Sequence, residues 1–192
     1  MIVVTGASGQ LGRLVIQELL ARVPASSIVA AVRKPASVAD LAAKGVQVRE
    51  ADYTRPETLD AAFKGADKVL LISSSEVGQR VAQHRHVVDA VKRAGVSLLA
   101  YTSLLHADTS PLGLAAEHVA TEAAIQASGV PAVILRNGWY TENYLASVPV
   151  ALQHGAFIGC AGAGRIASAA RADYAAAAAA AYFVFTRQLL GT

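Results

Sequence analysis

The first twelve residues leave this chain few ways to fold. The apolar run Ile2-Val3-Val4-Thr5 leads directly into Gly6-Ala7-Ser8-Gly9-Gln10-Leu11-Gly12, and helical spacing begins at Leu11. That order is a strand, a tight glycine turn and the first turn of a helix. Glycines let the backbone approach a phosphate closely and let the helix pack tightly on the strand. The free N–H groups and the positive end of the helix dipole then face the anion. Gly6, Ala7, Ser8, Gly9, Gln10 and Leu11 are therefore candidates to hold the pyrophosphate of a dinucleotide. An ordinary strand-to-helix turn is the plainer alternative. The position of the turn, after a strand and before an amphipathic helix, favours the nucleotide site.

The end of the next strand carries the second half of the pattern. Ile28-Val29-Ala30-Ala31-Val32 runs into Arg33-Lys34-Pro35. At such a position a carboxylate binds the ribose 2′-OH of NAD, whereas an arginine accommodates the 2′-phosphate of NADP. Here Arg33 is present and no carboxylate is. A planar guanidinium can hold a phosphate by two parallel hydrogen bonds. A solvated basic loop is the alternative. The combined reading is NADPH as cofactor.

The remaining chain alternates strands and helices. Helices are predicted over 11–22, 38–44, 56–63, 79–94 and 114–128, and strands over 46–48, 68–72, 96–101 and 132–135. Gly45, Gly65, Gly95 and Gly129 stop four of the helices. Such alternation predicts an α/β fold, a doubly wound parallel sheet of the Rossmann-like NAD(P)-binding kind. The 192 residues suit a single domain, 1–192, with a composition shift at the alanine run 175–181. Hydrophobic residues at 54% against 16% charged exclude a disordered chain. A net charge of +3, without a basic stripe interleaved with aromatics, argues against nucleic acid as a partner. The lone Cys160 excludes an intrachain disulfide and a cysteine zinc cluster. The run 174–185 falls short of the roughly 20 residues of a membrane span, and the first residues do not read as a secretory signal. No membrane is expected as a partner, a cytoplasmic location is, and a homodimer is left open.

In open α/β sheets ligands bind beyond the carboxyl ends of the strands. Besides the glycine turn and Arg33, that rule selects Ser73-Ser74-Ser75, Thr102-Ser103 and Asn137-Gly138-Trp139-Tyr140. The serines offer hydroxyls and N–H groups, Asn137 suits a carboxamide, and Trp139 and Tyr140 suit a planar ring. Helix capping by the serines and core packing by Trp139 are the alternatives. Asp52 either accepts from an adenine amino group or caps a turn. His84 and His86 lie two apart, on different sides of a helix, which argues against a metal pair. His118 and Glu122 are read as surface groups making a helix-face contact.

Four stretches resemble the NmrA-like branch of the atypical short-chain dehydrogenase/reductase family, and within it the quinone-reducing members. They are 6–12, 72–80 (Ile-Ser-Ser-Ser-Glu-Val-Gly-Gln-Arg), 101–108 (Tyr-Thr-Ser-Leu-Leu-His-Ala-Asp) and 135–144 (Leu-Arg-Asn-Gly-Trp-Tyr-Thr-Glu-Asn-Tyr). The resemblance spans about residues 1–180. It implies NADPH held by the glycine turn, Arg33, Ser73–Ser75 and Asn137, Gly138, Trp139, Tyr140, Thr141 and Glu142, with a quinone as acceptor. Two departures stand out. Family members carry a tyrosine and a lysine on the helix that ends in a glutamate like Glu122. Counting back by fours puts His118 at the lysine and Leu114 at the tyrosine. The usual proton donor is then missing, which is compatible with direct hydride transfer to a quinone but not with alcohol oxidation, where a positioned base is needed. The second departure is the end. Residues 175–192 do not resemble the family, whose members run on into a C-terminal substrate lobe, so that lobe is expected to be truncated here. A quinone reductase is the leading function, and a non-enzymatic NADP(H)-sensing regulator is the alternative.

Overall fold

The computed structural model describes residues 1–189, with side chains as far as Phe183. Six parallel strands form the main sheet: β1 (Ile2–Thr5), β2 (Ile28–Val32), β3 (Gln47–Glu50), β4 (Lys68–Leu71), β5 (Leu98–Leu104) and β6 (Ala132–Asn137). Their order is β3-β2-β1-β4-β5-β6. The chain winds outward from β1 to β3 and then returns to pair β4 on the other side of β1. The strand order therefore reverses between β1 and β4, which is where a doubly wound sheet opens a crevice. The expected fold class is the observed one.

Both faces of the sheet are buried, and the two-residue period of a strand divides its side chains between them. Ile2, Val4, Ile28, Ala30 and Leu70 face one core; Val3, Val29, Ala31, Val69 and Leu71 face the other. The second core is covered by α3 (Pro56–Ala62), α4 (Arg80–Arg93) and α5 (Ala115–Ser128), through Leu59, Val87, Val91 and Ile125. The first is covered by α1 (Gln10–Leu20), and by residues of the alanine-rich stretch that begins at Ala175. A helix spans Arg171–Leu189, here α8. Alanine is the best intrinsic helix former, and it also permits close approach. Ala175, Ala178, Ala179 and Tyr182, at helical spacing, pack with Leu11, Val15 and Leu19 of α1. The final residues of the expected tail, 190–192, lie outside the described part.

Other differences are local. The helix expected over 38–44 is a 3-10 turn, Pro35–Val38, followed by the short α2, Ala39–Ala43. β5 and β6 continue past their apolar runs into Thr102-Ser103-Leu104 and Arg136-Asn137, since their ladder stays in register from Leu99↔Ala132 to Leu104↔Asn137. Between β6 and α8 lies an excursion with β7 (Trp139–Tyr140), α6 (Glu142–Leu145), α7 (Val148–His154) and β8 (Ser168–Ala169). β7 and β8 pair in parallel and close its base. Among the described residues no helix is long and apolar enough to cross a membrane, and no group of three His, Cys, Asp or Glu could hold a metal.

Candidate functional site

The crevice above β1 and β4 has two lobes that share Gly6, Gly9, Ile72 and Ser73. The larger, about 340 Å³, runs from the glycine turn past the ends of β5 and β6. The smaller, about 230 Å³, runs toward the end of β2.

Gly6 sits at φ +59°, a left-handed conformation that favours glycine. Its carbonyl accepts from the Gly9 N–H at 2.9 Å and tightens the turn. Gly9 is the N-cap of α1 in an extended conformation open to any residue. A Cβ added at Gly12 would lie 2.5 Å from Gly6 O and 2.7 Å from Ala7 Cα. Gly12 therefore lets α1 lie against the turn, while Gly6 and Gly9 face the shared space. The turn is a cradle in which backbone N–H groups stand at a helix start, as a pyrophosphate requires.

The loop after β4 is held from several sides. The Ser73 N–H donates to Thr102 Oγ1, and the Ser74 N–H to His84 Nε2, both at 2.9 Å. Arg80 Nε donates to Ser74 O at 2.7 Å. The Thr121 hydroxyl donates to Glu117 O, so its oxygen is left to accept from His84 Nδ1–H at 2.9 Å. The tautomer of His84 is thereby fixed. Burial, with the nearby charges of Arg80 and His118, pushes its pKa down to about 3. His84 is thus a neutral, fully buried fastener for the serine loop. His86, two residues further along α4, bonds through Nδ1 to Tyr53 O at 2.8 Å.

Nearly all the expected site residues meet in the crevice. Gly6, Gly9, Gln10 and Leu11 wall the larger lobe with Asn137, Gly138, Trp139 and Tyr140. Ser8, Arg33, Ser74 and Ser75 wall the smaller, and Ser73 belongs to both. Trp139 is 37% exposed, on the wall rather than in the core. Asn137 Nδ2 donates to Tyr140 Oη at 3.3 Å. Arg33 is exposed and donates to Glu76 Oε1 at 3.1 Å across the mouth of the smaller lobe. Three expected residues lie outside both lobes. Ala7 is buried, its N–H on Ala31 O. Thr141 donates to Ser168 Oγ. The Glu142 carboxylate accepts from the Arg171 N–H with both oxygens, at 2.8 and 3.0 Å, and so caps α8. Asp52 caps a turn, accepting from the Thr54 N–H and hydroxyl.

The reading of His118 and Glu122 needs correction. His118 is buried in the wall of the larger lobe, with Nδ1 2.7 Å from Tyr101 Oη. Burial, then the charge of Arg80, pushes its pKa down to about 4, so the imidazole is neutral at pH 7. Glu122 bonds not to His118 but to Arg136, bidentately at 3.0 and 2.7 Å, and to the Ser103 hydroxyl. Burial opposes its ionisation, but these bonds outweigh it and hold the carboxyl below its ordinary value. A helix-face pattern cannot show this, because the partners Tyr101, Ser103 and Arg136 lie on neighbouring strands. Asn143 and Arg171, also in the wall, carry no local sequence signal.

A parallel sheet with a glycine cradle at its switch point is the architecture of the nucleotide-binding α/β class. The chain belongs to the NAD(P)H-binding family, whose sequence profile matches residues 6–182. It is 64% identical over 179 residues to quinone oxidoreductase 2 of Escherichia coli, which covers 93% of this chain and 63% of that protein. The crystal structure of the NADPH-dependent quinone oxidoreductase of Escherichia coli with NADPH superposes with a TM-score of 0.91, at 64% identity, over 93% of this chain and 63% of that one. The Citrobacter sp. triphenylmethane reductase complexed with NADP(H) gives 0.91 at 43% identity, over 93% and 64%. The chain thus spans a little under two thirds of these relatives.

Proposed function

We propose that this chain binds NADPH along the crevice and passes a hydride from it to a quinone. The observation that carries the reading is the continuity of the crevice, from the exposed guanidinium of Arg33, through the glycine cradle, to the ring wall of Trp139 and Tyr140. Identity to a quinone oxidoreductase supports the acceptor.

The bound cofactor supplies a hydride at its nicotinamide. The chain's residues do the rest. Gly6, Ser8, Gly9 and Gln10 receive the pyrophosphate, and Arg33 pairs with the 2′-phosphate. The serine loop, fastened by His84 and Thr102, borders the ribose. Asn137, Gly138, Trp139 and Tyr140 hold the planar groups in register, which is where positioning contributes most to rate. A quinone that accepts a hydride becomes a hydroquinone anion and takes its proton from water. The neutral His118 need not supply it. Thr141 and Glu142 act through the base of the excursion, not by touching the ligand. The large lobe favours the enzyme over a purely sensing protein, because it extends past the cradle into space a second ring can enter.

The test is cofactor preference. Arg33→Ala should weaken NADPH binding about tenfold or more and leave NADH nearly unchanged, since a charged hydrogen bond contributes about 1.5–3 kcal/mol. Unmodified protein that binds both equally, or fails to oxidise NADPH with benzoquinone, overturns the reading.

A further inference from the structure

Arg171 stands at the start of α8 beside the glycine turn. Its charge adds to the backbone hydrogen bonds that hold the Glu142 carboxyl below its ordinary value, but the guanidinium itself forms no ion pair among the described residues. Among the described residues no carboxylate lies within 4.0 Å of its guanidinium nitrogens. The neutral amides of Gln10 and Asn143 accept from it instead, and the guanidinium carbon lies 4.7 Å from the centre of the Tyr140 ring. The placement is built in. The β7–β8 ladder returns the chain across the excursion, and the Glu142 carboxylate fixes the Arg171 N–H. Packing of α8 on α1 then holds the residue beside Gln10, the first residue of α1. Arg171 and the free amides of the turn wall the same lobe.

A partly buried guanidinium left with neutral acceptors, facing a helix start, is matched to a doubly charged anion. We infer that Arg171 is a second contact for the pyrophosphate of the bound dinucleotide, reaching it from the α8 side of the crevice. This rests on the crevice being the dinucleotide site, and it assigns a role to a residue 138 positions beyond Arg33. The two arginines read different groups. The 2′-phosphate is present in NADPH alone, whereas the pyrophosphate is common to NADPH and NADH.

Calorimetric titration with each nucleotide separates them. Arg171→Gln should weaken NADPH and NADH by the same factor, about tenfold or more. Arg33→Ala should weaken NADPH alone. The salt dependence of NADH binding should also flatten in Arg171→Gln, because one charge contact is gone. If thermal melting shows that Arg171→Gln does not fold, Arg171→Met keeps the stem against Tyr140 and removes only the charge. Unchanged affinity for both nucleotides in the folded variant overturns the inference, and so does a loss confined to NADPH. Unmodified protein that binds neither nucleotide overturns the dinucleotide site itself, and this contact with it.

Discussion

Mild acid should destabilise this protein through two histidines. His84 and His118 are buried and neutral, with pKa values pushed down from 6.5 to about 3 and about 4. In the unfolded chain both return to about 6.5. For a histidine whose folded pKa is depressed, the unfolded state binds the proton first. Its contribution to stability is therefore complete above pH 6.5 and declines as the pH falls toward the folded value. At pH 5 the unfolded side chain is almost fully protonated and the folded one is not. Each histidine then costs about 2 kcal/mol, and the pair about 4 kcal/mol. That is a large part of the roughly 5–15 kcal/mol typical of a folded domain. The carboxylates held below their ordinary values, Asp40, Asp52, Glu122 and Glu142, start from 3.8 to 4.5 and give up their share only below that range. A measurement at pH 5 therefore isolates the histidines. Urea unfolding followed by circular dichroism at pH 7.5 and pH 5.0, at fixed ionic strength, should show the loss. His84→Gln and His118→Gln should each be less stable at pH 7.5 and lose about half as much on acidification. If either variant loses as much as the unmodified protein, that histidine does not titrate between the two states and the argument fails.

Three further outcomes test the site. Gly12→Ala should destabilise the fold by about 1–3 kcal/mol, because its Cβ meets backbone at 2.5 Å and backbone cannot swing aside; an unchanged melting temperature would contradict the packing at the turn. Gly9→Val should abolish NADPH binding but keep a native circular dichroism spectrum: φ −75° and ψ 167° suit valine, its Cβ would stand 3.2 Å from Gly6 O so that the turn must give by a few tenths of an ångström, and the added methyls fill the cradle; retained affinity would make the turn merely structural. His118→Ala should slow quinone turnover by far less than the 10²–10⁴-fold of a general acid, and Trp139→Ala and Asn137→Ala should slow it more; a collapse in His118→Ala with cofactor affinity intact would make His118 the proton donor.

What the sequence showed and what it hid follow from the range of the interactions. β1, β2, β4 and β5 were legible because each holds a short apolar run between turn signals, buried on both faces, whereas the edge strands β3 and β6 are only partly buried. Ser73–Ser75, Arg33 and Asn137–Tyr140 were legible because the carboxyl end of a strand is a place fixed by topology. The ends of β5 and β6 were read short, because Thr102-Ser103 and Arg136-Asn137 are polar yet still paired. The alanines of α8 lack the contrast of an amphipathic face, so their packing on α1 left no pattern to read. His118, Glu122 and Arg171 were missed for one reason. Each is defined by partners on other elements, Tyr101, Arg136 and Gln10, that no local spacing brings together.

The docking of α8 on α1 also bears on how the chain is made. The side of the sheet carrying Ile2, Val4, Ile28 and Ala30 is roofed jointly by an element near the start and by residues up to Tyr182. During synthesis that side can collapse only halfway. Nearly the whole described chain must leave the ribosome before Ala175, Ala178 and Ala179 seal it. Contacts this distant are slow to form, and an apolar sheet face left open meanwhile is a target for chaperones and for association with other nascent chains.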